Sequence, residues 1–150
     1  MRRIAFALAV MTIAGAAAAS DRDDAFATVT QFIDGFNKGD VKGALATCAS
    51  PVSIVDEFPP YAWQGPTACA DWASDFEANS RKEGITDEAV TLSKPRHVVV
   101  SGDRAYVVVP ATYDYKLKGK KKSQKGAVMT VALQKTAAGW RITGWSWATG

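Results

Sequence analysis

The sequence is poor in the side chains that most often build metal sites and nucleophilic centres. It has one histidine and two cysteines among 150 residues, and they do not fall in the spacings that hold zinc or haem. It also has no glycine-rich phosphate loop and no Ser/His/Asp set. We therefore predict no metal ion and no cofactor. We read His97 as a half-buried structural residue rather than as a base or a single metal ligand.

Long apolar runs are also scarce, and the one that exists lies at the N-terminus. Residues 4–13 are largely apolar, Arg2 and Arg3 precede them, and alanines fill positions 17–19, which is the pattern of a secretory signal peptide. The run is too short to cross a bilayer, which takes about 20 residues. We predict a signal peptide over residues 1–19, an exported protein that is periplasmic or extracellular, and no membrane span after cleavage. A retained membrane anchor is the alternative.

The predicted mature chain carries little net charge. The formal charge of the whole sequence is +3, and the loss of Arg2 and Arg3 with the signal peptide lowers it to +1. This balance predicts no nucleic-acid partner. Six lysines cluster in residues 116–125, where they predict a charged hairpin tip that resists aggregation. Binding of an acidic polymer or of lipid headgroups is the alternative reading.

Both cysteines fall in the predicted exported domain. Cys48 and Cys69 lie on the apolar faces of two predicted helices, and an oxidising compartment makes a disulfide the default state of such a pair. We therefore predict a bond between them. The alternative is two buried free thiols that pack as small apolar side chains.

The mature chain begins with helical periodicity and ends with strand alternation. Apolar residues recur at helical spacing in three N-terminal segments. Later segments alternate between apolar and polar side chains, as in residues 105–117, where the odd positions share one apolar face. This order predicts one α+β domain over residues 20–150, with three N-terminal helices packed on a curved, mostly antiparallel sheet.

Segment 53–65 carries the strongest candidate for a functional carboxylate. It begins as a strand and ends in Asp56 and Glu57, and strand alternation places Asp56 on the same face as Val52 and Ile54. A carboxylate among aliphatic side chains is desolvated, which raises its pKa and suits it to proton transfer near neutral pH. The alternative is that Asp56 caps the following turn or pairs with an arginine.

Four short segments lie, in this order along the chain, at the boundaries of the predicted helices and strands. They are Phe36-Asn37-Lys38-Gly39-Asp40 after the first helix, Val55-Asp56 at the end of the first strand, Trp63-Gln64-Gly65-Pro66 before the third helix, and Gly139-Trp140-Arg141-Ile142 at the start of the last strand. Together they resemble the nuclear transport factor 2-like superfamily, which includes ketosteroid isomerases and polyketide-cyclase-like proteins. The resemblance covers the mature chain and implies a strongly curved sheet that forms a cone with an apolar pocket. It also implies a possible homodimer through the open sheet face.

The resemblance gives Asp56 a specific role, because it matches the aspartate that is the general base of ketosteroid isomerases. Those enzymes also need an oxyanion site made by a tyrosine on the first helix and a protonated acid on a later strand. Here Phe32 stands at about the place of that tyrosine, and the inward face of residues 129–133 offers no acid. The base is therefore present without the donors that usually contribute most to catalysis.

These observations predict an exported domain that binds a small apolar or amphipathic molecule and need not be catalytic. The predicted rim and inner wall consist of Asp56, Glu57, Tyr61, Trp63, Tyr113 and Tyr115. Burial of the aromatic residues in the core is the alternative to a role in the pocket. Two other functions stay open: an isomerase, cyclase or dehydratase that acts on an enolisable carbonyl compound with Asp56 as base, and a dimeric structural or interaction module.

Overall fold

The computed structural model describes residues 13–150, which form an α+β fold with the helices on one face of a curved, open sheet. In chain order the elements are α1 (Ile13–Lys38), α2 (Val41–Leu45), β1 (Cys48–Val55), β2 (Ala62–Gly65), α3 (Ala68–Glu83), β3 (Ile85–Leu92), β4 (His97–Ser101), β5 (Arg104–Leu117), β6 (Lys120–Thr136) and β7 (Gly139–Ala148). Residues 1–12, which hold most of the predicted signal peptide, lie outside the described residues. None of the helices described is long and apolar enough to cross a membrane.

The strands form one sheet in the order β2-β1-β7-β6-β5-β3, and β4 also pairs with β5. The pairing of β1 with β7 is parallel, and the other pairings are antiparallel. The register of β5 and β6 shifts where Ala111 pairs with Ala127 and Tyr113 pairs with Gln124. Extra residues of this kind bend a strand and increase its twist. The predicted α+β class and the mostly antiparallel, curved sheet are confirmed.

α1 covers the inner face of the sheet with an apolar stripe whose members lie three or four residues apart, as helical geometry requires. The buried residues of the stripe are Ala25, Val29, Phe32 and Ile33. Facing the helices, β5 buries Val107 and Val109 completely, on the face that alternation predicts. Burial of each such aliphatic side chain stabilises the fold by about 1.5–3 kcal/mol.

Cys48 corrects the predicted extent of the second helix. α2 ends at Leu45 and β1 begins at Cys48, so this cysteine lies on a strand and not on a helix. The backbone N–H of Ile142 donates to the carbonyl oxygen of Thr47 at 2.8 Å, which ties the segment to β7, and such tertiary pairing overrides a weak helical preference. The bond between Cys48 and Cys69 is present, so the predicted disulfide is confirmed.

Two predictions concern the surface, and one of them is wrong. His97 is exposed rather than half-buried, because it begins β4 on the same outward face as Val99, which is 55% exposed. The lysine-rich hairpin turns at Lys118 and Gly119, which have positive φ angles of 49° and 80°. The other lysines of the cluster lie on β5 and β6 on either side of this turn, so the predicted lysine-rich hairpin is present.

Candidate functional site

A cavity of about 260 Å³ lies where α1, α3 and the inner face of the sheet meet. Half of its lining residues are aromatic. Asp56 and Glu57, the two residues that directly follow β1, also line it. An apolar cavity of about 150 Å³ is large enough to hold benzene. This cavity therefore has room for a molecule larger than a single benzene ring.

The aromatic walls hold one another in place. The ring centroids of Phe32 and Trp72 lie 5.8 Å apart, and Trp72 meets Trp145 edge to face at 4.9 Å. Phe36 and Phe76 form a second edge-to-face pair at 5.2 Å. Such pairs contribute about 0.5–1.5 kcal/mol each beyond the area they bury. The cavity is thus preformed by core packing from two helices and β7.

Asp56 stands at the end of β1 with both carboxylate oxygens held. The indole Nε1–H of Trp72 donates to Oδ2 at 2.9 Å, and the backbone N–H of Glu57 donates to Oδ1 at 2.7 Å. Burial raises the pKa of Asp56, the two hydrogen bonds lower it, and the nearby charge of Glu57 raises it again, with a net shift upward. The described residues give Asp56 no ion pair. The site therefore holds an oriented, partly desolvated carboxylate.

Glu57 is exposed at the rim of the cavity, where it accepts hydrogen bonds from Thr149 and Gln124. Its Oε1 accepts from the backbone N–H and the hydroxyl of Thr149 at 2.6 and 2.5 Å, and its Oε2 accepts from the amide of Gln124 at 2.7 Å. Desolvation raises the pKa of Glu57, but these hydrogen bonds outweigh it and the pKa falls below its usual range. The Glu57 carboxylate thus stays ionised and is committed to structural contacts.

Tyr113 connects the cavity to a second buried network. Its hydroxyl donates to Oε1 of Glu88, and the hydroxyl of Ser80 donates to the same oxygen at 2.9 Å. Burial, followed by the bond to Glu88, raises the pKa of Tyr113 well above its usual range. The Tyr113 proton is therefore directed at Glu88, so toward any further partner the phenolic oxygen can act only as an acceptor. Tyr115 stacks on Tyr113 with a centroid distance of 4.7 Å.

The structure places four of the six predicted site residues in the lining: Asp56, Glu57, Tyr113 and Tyr115. It places Tyr61 and Trp63 elsewhere. Tyr61 is 56% exposed in the turn with a φ of +72°. Trp63 is buried, and its indole N–H donates to Asp75 of α3 at 2.8 Å.

Phe58 explains why Trp63 does not reach the cavity. Its ring centroid lies 5.0 Å from that of Trp63, and Phe58 is itself a lining residue, so it occupies the wall where Trp63 was predicted. Sequence reasoning also missed Glu88 and Ser80. A signal for Glu88 was present, since it lies two residues before the buried Val90 on β3 and alternation puts both on one face.

The electrophilic half of an isomerase site is weakly represented. Phe32 lines the cavity where the resemblance requires a tyrosine, and the β6 residues in the lining, Gln124 and Met129, are not acids. The buried indole N–H of Trp145 lacks a hydrogen-bond partner within residues 13–150, but its nitrogen is shielded from the cavity. The lining residues with a neutral amide or hydroxyl group also include Asn79, Gln124 and Tyr115. In the part of the chain that the structure describes, no three His, Cys, Asp or Glu side chains lie close enough to hold a metal ion.

Helices over a curved, open sheet with an aromatic cavity between them define the nuclear transport factor 2-like class of protein. Within that class, the chain belongs to the SnoaL-like domain family, whose family model matches residues 26–146. None of the curated proteins compared with the chain matches it significantly.

Solved structures of the same fold come from several bacteria. A nuclear transport factor 2-like protein with a cystatin-like fold from Novosphingobium aromaticivorans is 18% identical, with a TM-score of 0.73 over 91% of this chain and 86% of that one. A nuclear transport factor 2-like superfamily protein from Salmonella enterica is 15% identical, with a TM-score of 0.73 over 87% and 92% of the two chains. A ketosteroid isomerase-like protein from Erwinia carotovora atroseptica is 18% identical, with a TM-score of 0.66 over 85% and 94%. At these identities the likeness establishes the fold and not the activity.

Proposed function

We propose that this domain binds a small, largely apolar, ring-containing molecule in the cavity between α1, α3 and the sheet. The observation that carries the proposal is the cavity itself, about 260 Å³ in volume with half of its lining residues aromatic. Small-molecule sites are typically concave and apolar with a few placed polar groups. Asp56, Tyr113 and Asn79 supply such groups here and would orient the ligand.

A second candidate function is proton transfer on an enolisable carbonyl compound, which the state of Asp56 favours. Its carboxylate is oriented by Trp72 and its pKa is raised by burial, as a general base near neutral pH requires. Asp56 would take the proton from the carbon next to the carbonyl and return it at another carbon. Tyr115 or Asn79 would then have to stabilise the enolate oxygen, since the Tyr113 hydroxyl already donates to Glu88. This shortage of donors makes binding without catalysis the leading proposal.

Export of the protein is part of the same proposal. The disulfide between Cys48 and Cys69 supports a compartment outside the cytoplasm, and the apolar N-terminal run after Arg2 and Arg3 supports a cleaved signal peptide. N-terminal sequencing of the protein recovered from the periplasm and the medium tests both points. A chain that begins near Ser20 is expected, and an uncleaved chain retained in the cell would contradict the proposal.

Ligand binding can be tested with a neutral two-ring probe, 2-naphthylmethanol, by isothermal titration calorimetry. Ile85 lines the cavity and is only half-buried, so Ile85→Trp should fill the mouth and abolish binding. Val99→Trp is the matched control, because Val99 is 55% exposed on the outer face. Equal affinity in the two variants would show that the cavity is not the binding site.

The catalytic candidate has its own test. Wild type and Asp56→Asn are compared for exchange of the acidic protons of enolisable ketones in D₂O by proton NMR. Asn keeps the size of Asp56 and can still accept the Trp72 hydrogen bond, but it cannot take a proton at neutral pH. The exchange rate is expected to fall by at least about 100-fold if Asp56 is the base. Exchange that survives in Asp56→Asn would rule it out.

A further inference from the structure

The ionisable groups around the cavity are of one sign. Asp56 and Glu57 line it, and Glu88 accepts the hydroxyl proton of the lining residue Tyr113. Among the described residues, no lysine, arginine or histidine lines the cavity. Glu57 is exposed, but Asp56 and Glu88 are partly buried, and burial of a carboxylate favours pairing with a cation. The part of the chain described here supplies no cationic partner for any of the three.

The hydrogen bonds to these carboxylates do not cancel their charge, because the donors are neutral. Asp56 is held by an indole and a backbone N–H, and Glu57 by a backbone N–H, a hydroxyl and an amide. Glu88 is held by two hydroxyl groups. Neutral donors fix the orientation of a carboxylate but bring no positive charge to offset its own. The formal charges that line the cavity are therefore all negative.

The aromatic side chains of the cavity wall also favour a cation. The face of an aromatic ring is negative and attracts a cation within about 6 Å of its centroid. Trp72 and Trp145 are the best ring type for this contact and both line the cavity. Tyr113 adds an acceptor, because its proton is directed at Glu88. Charge, rings and acceptors all favour a positively charged guest and disfavour an anion.

We propose that the ligand of this cavity is an organic cation, a protonated amine carried on an apolar ring system. The inference rests on the proposed binding function and specifies the class of ligand. The ring system would fill the apolar part of the cavity, and the ammonium group would donate hydrogen bonds to Asp56 and to the phenolic oxygen of Tyr113. Asn79 and Tyr115 can serve a neutral ligand as well, so they do not decide the sign of the charge.

Three probes that share one ring system test the proposal by isothermal titration calorimetry at pH 7. They are 2-naphthylmethylammonium, 2-naphthylmethanol and 2-naphthoate, which differ in charge while keeping the naphthalene ring. The ammonium should bind at least about tenfold more tightly than the alcohol, and the carboxylate should bind most weakly.

Two Asp→Asn variants test whether Asp56 causes the preference for the ammonium probe. Asp56→Asn removes the carboxylate that is proposed to bind the ammonium and leaves Glu57 in place, and it should reduce the preference for the ammonium over the alcohol to about threefold or less. Asp75→Asn is the matched control, since Asp75 also accepts an indole N–H but is not a lining residue, and it should leave the preference intact. Near-ultraviolet circular dichroism confirms that both variants are folded.

The outcomes separate the two proposals. If the alcohol or the carboxylate binds as tightly as the ammonium, the inference about charge is overturned while ligand binding stands. A preference that persists in Asp56→Asn would overturn the placement of the ammonium at Asp56. If none of the three probes binds, the proposed binding function fails and the inference fails with it.

Discussion

Reduction of the Cys48–Cys69 disulfide should destabilise the domain by about 3 kcal/mol. The two cysteines are 21 residues apart in the sequence, and closing a loop of about this length stabilises the folded state by about 3 kcal/mol in the chain-entropy account. For a domain of this size, that loss should lower the melting temperature by roughly 10 °C. The bond also joins the strand that ends next to Asp56 to the helix that carries Trp72, so its loss should loosen the Trp72–Asp56 hydrogen bond.

Urea denaturation with and without reductant measures the cost directly, because reduced wild type keeps both sulfur atoms in place. The double variant Cys48→Ala/Cys69→Ala is the control, and reductant should not change its stability. Either single variant should lose nearly as much free energy of unfolding as the double variant, since the bond can be broken only once. A cost of reduction under about 1 kcal/mol, or single-variant costs that simply add, would refute this prediction.

Three further predictions concern residues in or beside the cavity. Asp56→Asn should stabilise the protein at neutral pH, because burial raises the pKa of Asp56 and ionisation of the buried carboxyl group therefore destabilises the folded state. Wild type should lose this stability as the pH rises from the usual aspartate range through the raised pKa of Asp56. Thermal melts of both proteins from pH 3 to 8 test the prediction. Glu57→Gln should cost about 1 kcal/mol at pH 7 in urea denaturation, because the Thr149 and Gln124 donors lose a charged acceptor. Trp63→Phe should cost about 1–2 kcal/mol through the lost bond to Asp75 but leave the calorimetric affinity for 2-naphthylmethanol unchanged, and a clear loss of affinity would return Trp63 to the site.

Sequence periodicity was sufficient for those features of the site that depend on one element alone. Alternation along β1 and β5 placed Asp56 and Tyr113 on inward faces, and the structure finds both in the lining. Each of these inferences needs only a strand period of two residues. The order of helices and strands likewise predicted the layer arrangement, because an apolar helix stripe must cover an apolar sheet face.

Features that join distant segments could not be predicted in this way. The bonds between Tyr113 and Glu88 and between Glu57 and Thr149 connect residues 25 and 92 positions apart. Which residues meet depends on strand register, and the β3–β5 register shifts between Thr86 and Ala89, where Glu88 lies. Periodicity gives the face of a side chain but not its neighbour across the sheet. For the same reason it could not show that Phe58 and not Trp63 reaches the cavity.

Asp56 is proposed either as the counter-ion of a bound cation or as a general base, and these two roles predict opposite changes in its pKa when a ligand binds. A bound ammonium favours the charged carboxylate and should lower the pKa of Asp56 from its raised value, whereas an apolar neutral ligand excludes water and should raise the pKa further. Carboxyl NMR of wild type, assigned with Asp56→Asn, can follow this pKa with each naphthyl probe. By linkage, the ammonium should also release protons on binding near the pKa of the free protein, which calorimetry detects in buffers of different ionisation enthalpy. A pKa of Asp56 that rises with the ammonium probe would mean that the cation sits away from this carboxylate, and it would favour Asp56 as a base over Asp56 as a counter-ion.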